Sequence, residues 1–505
     1  MVESFIQGLI NITQPVLLLT LFAATIVGLI LGVLPGVTGG FGIIVLLPFI
    51  LGLDPMFILP VIIAFATTAG SGGSITAILL GIPGEPSNAA VVLDGYPLAT
   101  KGEGLRAVGA SITTCWMSNL ASVAFAFIMI PLIVPIIMLF KAPEVCLMIA
   151  VAVCFISAVT REARLKGLIS ASIGLLLSTI GFQAKTGEAR FTFGNLYLYD
   201  GVGLIVMVLG VFAVPALVEM IAEEDEVVAQ GSPVPKGMHE YRELLRGVKD
   251  VLQYWWLWLK TTVIGYVIGV VPGVGGETAP WLGYSHAKQS SKKPETFGTG
   301  NIEGVIAPES ANNAKTGGDL LTTLAFGIPG SGKMVLVLAA FVLVGIQPGP
   351  WVITKHMTLS FSMLQTVALT SIFSSIILYT STPYLFKLAR VPGAYQFTFL
   401  MPLVFISVYV GDNAIMDIFI LLLVAIIGFF LKRYGYFLSA LIMGFILGKL
   451  FEYYLWQSLD LMGPTFFLSS PICILLLFLM PLVLYYEDIK DWMGRWRKLK
   501  SENSS

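Results

Sequence analysis

Charge is the scarcest commodity in this 505-residue chain: Asp, Glu, Lys and Arg together make up 12% of it, about half the share of an ordinary soluble domain. That excludes a soluble globule, which needs far more polar surface to cover a core of this size. Cysteine is nearly missing, and Cys115, Cys146, Cys154 and Cys473 all lie inside apolar stretches with no Cys-x-x-Cys pair. They read as small buried hydrophobes and exclude a disulfide framework. The three histidines, His239, His286 and His356, stand apart in polar loops without ligand spacing, so no metal site is expected apart from one for Na⁺. Met1–Gln14 holds Glu3 and no Lys or Arg, and so lacks the basic start of a cleavable signal peptide. A net charge of −1 identifies no partner; no nucleic acid and no organic cofactor are expected.

What the chain has in excess is apolar sequence: 56% hydrophobic residues and a mean hydropathy of +0.87. The excess is divided into stretches of bilayer-spanning length, roughly 20 residues of helix. They are Pro15–Leu34, Val108–Phe140, Pro143–Thr160, Gly167–Phe182, Gly201–Val218, Met357–Leu388, Ile415–Leu431, Phe437–Leu450 and Pro471–Tyr486. An all-α polytopic membrane protein follows, in contact with the lipid bilayer.

The chain repeats itself. GLILGVLPGVTGG at Gly28–Gly40 returns as GYVIGVVPGVGGE at Gly265–Glu277, and AILLGIPG at Ala77–Gly84 as TLAFGIPG at Thr323–Gly330. Phe140-Lys141 likewise returns as Phe386-Lys387. Ordered matches of this kind mark a duplication. The expected organisation is a first repeat over 1–218, a cytoplasmic linker over 219–254, a second repeat over 255–468, and an extra span with a basic cytoplasmic tail over 469–505. Basic residues in short loops favour the cytoplasm. Arg161–Lys166 is basic, its counterpart Gly411–Met416 has no Lys or Arg, and the loops that follow and precede that counterpart are basic. The alternation is that of inverted-topology repeats, with the N-terminus outside and the linker and C-terminal tail inside. Lys185 and Arg190 fall on the outer side of this scheme, and the Lys288–Lys293 cluster takes no clear side.

Pro-Gly inside an apolar helix removes a hydrogen-bond donor and a backbone restraint, so the helix stops. In a bilayer the freed N–H and C=O groups must be met by protein, water or ligand. Val33–Phe41, Thr67–Ser74, Gly81–Asn88, Val271–Thr278, Asn312–Asp319 and Gly327–Lys333 are read as such breaks, forming broken helices or re-entrant hairpins. Helix N-termini there suit a carboxylate, and exposed carbonyls suit Na⁺. Taken singly, each Gly-rich stretch is more often close helix packing than a binding site; polar residues at corresponding places in both halves favour a solute path. The expected solute-binding residues are Gly36, Thr38, Gly39, Ser71, Gly72, Gly84, Gly273, Gly275, Gly276, Asn313, Lys315, Thr316, Gly330, Ser331 and Lys333. Asn312, Asp319 and Thr278 are expected to serve the coupling cation, Na⁺ or H⁺. Ionisable groups at membrane depth cost at least ~2.5–3.5 kcal/mol and usually serve a function, which singles out Lys315, Asp319 and Lys333; interface positions or mutual pairing are the bland alternative, shared by Glu85 and Glu277. GIPGSGKM at Gly327–Met334 approaches a phosphate-binding loop, but Met334 replaces the Mg²⁺-binding hydroxyl, and its repeat GIPGEPSN lacks Gly-Lys. ATP chemistry is not expected, and no catalytic residues are assigned.

Gly28–Gly40, Gly70–Pro86 with LLGIPGEPS, Val271–Glu277, and Glu303–Pro350 with APESANNAKTGGDLLTTLAFGIPGSG and GIQPGP together resemble the TctA family, the large membrane subunit of tripartite tricarboxylate transporters. The resemblance implies a bacterial inner-membrane subunit working with a small four-span TctB-like partner and a periplasmic TctC-like solute-binding protein. It implies uptake of citrate or another carboxylate on a Na⁺ or H⁺ gradient, and it places Lys315, Thr316, Gly317, Gly318 and Asp319 in a family-like motif. A passive channel, an intramembrane enzyme and a structural membrane component are the rival classes. Asp and His residues do not converge as an enzyme would need, and a structural component would not need polar breaks.

Overall fold

The structure, a computed structural model, describes residues 1–34, 39–50, 52–157, 164–183, 185–222, 239–271, 275–388, 393–412 and 414–484. It is helical throughout, apart from a two-residue hairpin pairing Gly181–Phe182 with Ala189–Arg190. The first half comprises α1 (Val2–Thr13), α2 (Pro15–Val33), α3 (Gly39–Ile50), α4 (Pro55–Leu80), α5 (Ala89–Thr100), α6 (Gly104–Ile137), α7 (Ala142–Ser157) and α8 (Arg164–Ser178). It closes with α9 (Leu204–Val208), which runs through a π turn into α10 (Val214–Ala222). The second half comprises α11 (His239–Gln253), α12 (Trp255–Val270), α13 (Gly275–Ser290), α14 (Glu303–Phe326), α15 (Gly332–Leu343), α16 (Pro350–Lys355) and α17 (Met357–Leu388). It ends with α18 (Gly393–Asp412), α19 (Met416–Arg433), α20 (Leu438–Met462) and α21 (Pro471–Leu484). Among the described residues, α2, α4, α6, α17 and α20 are long and apolar enough to cross a membrane, and shorter apolar helices accompany them.

The helix ends have local causes. Asp54 caps α4, its carboxylate accepting from Met56 N at 2.7 Å, and Pro55 takes the first-turn place where a missing N–H costs nothing. Gly81 and Gly327 end α4 and α14 in the left-handed conformation that only glycine adopts freely. These equivalent stops begin the GIPG segments of the two halves.

α4 and α14 lie at the centre, buried almost all round, as a helix enclosed by other helices must be. α2 crosses α4, and α12 crosses α14, by the same contacts. A Cβ on Gly32 would lie 2.0 Å from the Ala69 carbonyl oxygen, and one on Gly269 2.4 Å from that of Lys315. Gly72 meets Leu29, Gly32 and Val33 just as Gly318 meets Tyr266, Gly269 and Val270. Small residues let helix backbones approach this closely where no hydrophobic drive holds helices together. The outer helices exchange halves: α6 packs mainly on α14 and α17 on α4, while α20 packs on α7 and α8, and α18 and α19 on the segment α9–α10. The faces left over are apolar, as on α2 (Val16, Leu19) and α19 (Phe419, Leu423), which is the surface a bilayer covers.

Two of the expected breaks are not breaks. Thr67–Ser74 lies inside continuous α4, and Asn312–Asp319 inside continuous α14. Their glycines serve the α2 and α12 crossings, and their polar groups are satisfied without opening the helix: Thr67 and Thr68 hydroxyls donate to carbonyls four residues back. Interruption is confined to Gly81–Asn88, to 327–331, and to the joints between α2 and α3 and between α12 and α13.

Candidate functional site

Where the interruptions meet there is a cavity of about 300 Å³. Four helix beginnings supply its wall: Gly40 and Phe41 from α3, Glu85, Pro86 and Ser87 ahead of α5, Gly276 from α13, and Ser331, Gly332 and Lys333 from α15. Two come from each half. The first N–H groups of a helix have no partner within it, and the Ser331 side chain does not cap α15. Backbone donors and the positive ends of the helix dipoles therefore gather at one place.

The middle of α14 supplies the rest of the wall with Asn312, Asn313, Lys315, Thr316 and Asp319. Lys315 donates to the Gly276 carbonyl oxygen, tying α14 to the start of α13. Lys333 Nζ lies 2.5 Å from Glu85 Oε2, with the Glu85 side chain almost fully buried. This pair joins the two GIPG segments, one from each half. Asp319 is 1% exposed and stands beside Lys315 and Ser331, with its Oδ1 unbonded among the described residues. Lys432 of α19 also reaches the wall and pairs with Glu219.

Behind Asn313 runs a second polar layer. Asn313 Nδ2 donates to the Glu309 carbonyl oxygen at 2.9 Å and to Glu309 Oε2 at 3.5 Å, and Asn119 Nδ2 donates to Asn313 Oδ1 at 3.3 Å. Ser74 Oγ donates to both Glu309 carboxylate oxygens at 2.9 and 3.0 Å, and Ser111 Oγ to one at 3.2 Å. Asn88 Nδ2 donates to Ser74 Oγ at 2.8 Å. The layer is made by both halves.

Of the residues expected to meet solute or cation, Gly276, Asn312, Asn313, Lys315, Thr316, Asp319, Ser331 and Lys333 line the cavity. Gly39 and Gly275 open α3 and α13 one residue before the lining glycines. Gly72, Gly84 and Gly330 lie in the helix crossings: Gly84 packs on Gly73 and the Gly32 carbonyl, Gly330 on Asp319 and the Gly269 carbonyl. Ser71 faces α6, 2.9 Å from Cys115 Sγ, and Thr278 is not on the wall. Gly36, Thr38 and Gly273 lie outside the described residues, as does the side chain of Glu277. Sequence reasoning did not select Gly70 or Glu309. The second had a signal, an ionisable residue inside a buried apolar helix. A larger depression of about 790 Å³ lies among Phe140, Trp351, Lys355 and Tyr453, but Trp351 and Tyr453 are half exposed and it meets none of the breaks.

Residues 18–443 match the model of the tripartite tricarboxylate transporter TctA family. The chain is similar to an uncharacterized 52.8 kDa protein in the TAR-I ttuC′ 3′ region of Agrobacterium vitis, 30% identical over 489 residues, or 94% of each chain. It is also similar to an uncharacterized protein in the TAR-II ttuC′ 3′ region of the same organism, 34% identical over 215 residues, 42% of this chain and 89% of that one. No solved structure matches.

Proposed function

We propose that this chain, which belongs to the tripartite tricarboxylate transporter TctA family, is the membrane subunit through which a carboxylate of the citrate type enters the cell on a cation gradient. Family membership makes it a multi-pass membrane component of a transporter with other subunits. The observation that carries the finer reading is the meeting of four helix beginnings, two from each half, on a cavity that also holds Lys315 and Lys333. Unpartnered N–H groups and ammonium groups are what a carboxylate needs in place of water. The polar remainder, Asn312, Asn313, Thr316 and Ser331, has donors for the hydroxyl and further carboxylate oxygens of such a solute.

In this reading the two halves are inverted repeats in the bacterial inner membrane, N-terminus periplasmic and C-terminus cytoplasmic. The cavity lies at their shared axis and opens alternately to each side. A periplasmic solute-binding protein of the TctC kind delivers the solute, and a small four-span subunit of the TctB kind completes the membrane unit. Na⁺ or H⁺ drives accumulation.

The test is to reconstitute the chain with those two partners and follow labelled citrate with and without an inward Na⁺ or proton gradient. Accumulation above the external concentration, present only with a gradient, is expected. Flux that merely equilibrates would make the protein a channel, and no flux of any tricarboxylate or dicarboxylate would sink the reading.

A further inference from the structure

Glu309 is a buried carboxylate whose hydrogen-bond partners are all uncharged. It is 1% exposed in the centre of the bundle, and its described hydrogen-bond partners, Ser74, Ser111 and Asn313, are all neutral. No Lys or Arg among the described residues forms an ion pair with it; Lys315, on the same helix, acts on it electrostatically and donates its hydrogen bond to the Gly276 carbonyl. A lone buried carboxylate carries a desolvation cost of several kcal/mol that neutral donors offset only in part. The network around it also has oxygen to spare: Asn88 and Asn119 are both fully buried, and the Oδ1 of each lacks a partner among the described residues. Too much negative charge and too many acceptors in one buried network point to a bound cation.

We propose that Glu309, with Ser74 and Ser111, binds the coupling Na⁺, and that its occupation is what admits the anionic solute to the cavity next to it. The inference rests on the reading of the protein as a cation-coupled carboxylate transporter. One carboxylate matches the charge of one monovalent ion. A single proton would supply one donor, whereas Na⁺ can be met by the carboxylate, hydroxyl and carboxamide oxygens together. Asp319 is the poorer choice because both Lys315 and Lys333 act on it, whereas Glu309 feels Lys315 alone and more weakly.

The order of binding follows from the charges. Glu309 sets a negative charge behind the cavity wall, while Lys333 is paired with Glu85 and Lys432 with Glu219. A carboxylate entering that field is repelled. With Na⁺ at Glu309 that repulsion is cancelled. Asn313 is the physical link, since it lines the cavity and donates to Glu309. Gly70 is a second link: it lines the cavity, and its carbonyl accepts from Asn88, which also donates to Ser74. Linkage requires that solute tighten Na⁺ by the same factor that Na⁺ tightens solute.

The experiment uses the purified full chain in lipid nanodiscs, in NaCl, KCl or choline chloride of equal ionic strength at fixed pH. Na⁺ alone is expected to raise the unfolding temperature saturably, and citrate affinity should rise about tenfold or more between choline and saturating NaCl. Glu309→Gln should lose the Na⁺ shift and bind citrate equally in both salts, because the isostere removes the extra charge. Should that variant fail to fold, Ser111→Ala decides, with Na⁺ affinity expected to fall roughly tenfold. Asp319→Asn should keep the Na⁺ shift. An equal shift in KCl, a shift that follows pH rather than Na⁺, or an undiminished shift in Glu309→Gln would each overturn the assignment. Na⁺ stabilisation without any citrate binding would count against the carboxylate reading and leave the cation site standing.

Discussion

Adding one methyl group to Gly269 should disable transport without touching the cavity. A Cβ there would lie 2.4 Å from the Lys315 carbonyl oxygen and 2.8 Å from the Lys315 Cα, whereas ordinary contact begins at 3.4 Å. The obstacle is backbone, so no side chain can rotate away, and α12 must part from α14 by about 1.0 Å. That shift is delivered at Lys315 and passes to the GIPG segment, because Gly330 rests on the Gly269 carbonyl. Overpacking a tight helix contact costs typically about 1–3 kcal/mol, which a protein of this size survives. Misplacing a binding constellation by about 1 Å costs on the order of 10²-fold in activity. Gly269→Ala is therefore expected to reach the membrane, melt a few degrees lower, and take up citrate roughly a hundredfold more slowly per molecule. Gly42→Ala is the control: its Cβ would meet only the end of the flexible Leu31 side chain, at 2.5 Å, and its uptake should stay within a few-fold of normal. The assay is initial uptake in proteoliposomes normalised to protein, with unfolding curves in parallel. Near-normal uptake by Gly269→Ala would refute the link from crossing to site.

Other expectations concern the buried charges. Lys333→Met removes the ammonium that the buried Glu85 carboxylate pairs with and should cost about 3–5 kcal/mol; the double variant Lys333→Met with Glu85→Gln should recover most of that stability but not solute binding, as thermal melts and citrate binding would show. Asp94, fully buried on α5, accepts from the backbone N–H groups of Gly298, Gly300 and Asn301 at 2.8–2.9 Å and from the Tyr284 hydroxyl at 2.9 Å. Asp94→Ala strands those donors at about 1–3 kcal/mol for each one left buried and dry, so it should unfold far more readily than Asp94→Asn. Equal melting of the two variants would show that the loop before α14 is held by something else.

Much of this was readable in the sequence because it depends on local pattern. The duplication, the apolar stretches and the Gly81 and Gly327 helix stops need only the chain itself. Thr67–Ser74 and Asn312–Asp319 misled because glycine and polar residues look alike whether a helix ends there or is closely crossed there. What decides is the partner: Gly72 is filled from outside by α2, and Asn313 is satisfied by Asn119 of the other half. The pairing of Glu85 with Lys333 was hidden for the same reason, since nothing in either GIPG segment says that the two meet. Glu309 was in view inside APESANN, but only the fold shows that its hydrogen-bond partners, Ser74, Ser111 and Asn313, are all neutral.

The charges of the two halves are unequal where they meet. Glu85 and Lys333 occupy GIPG segments that correspond by the repeat, in which Ser331 stands for Glu85 and Ser87 for Lys333. In a faithfully repeated sequence the contact of position 85 with position 333 would be matched by one of 331 with 87. Only the first of these is charged here, so the junction holds one ion pair in place of two. Ser87 already lies 3.5 Å from Glu85 Oε2, which makes the argument testable. Ser87→Lys, with Ser331 left as it is, sets a second ammonium on the carboxylate that Lys333 holds at 2.5 Å. It should lower stability by at least about 1 kcal/mol through like-charge crowding and desolvation, and displace Lys333 from its place on the cavity wall. Adding Lys333→Ser to it, which moves the charge from one half to the other, should recover the stability. A single Ser87→Lys variant that melts and binds citrate as the original chain does would show that the Glu85 carboxylate has room for two ammonium groups.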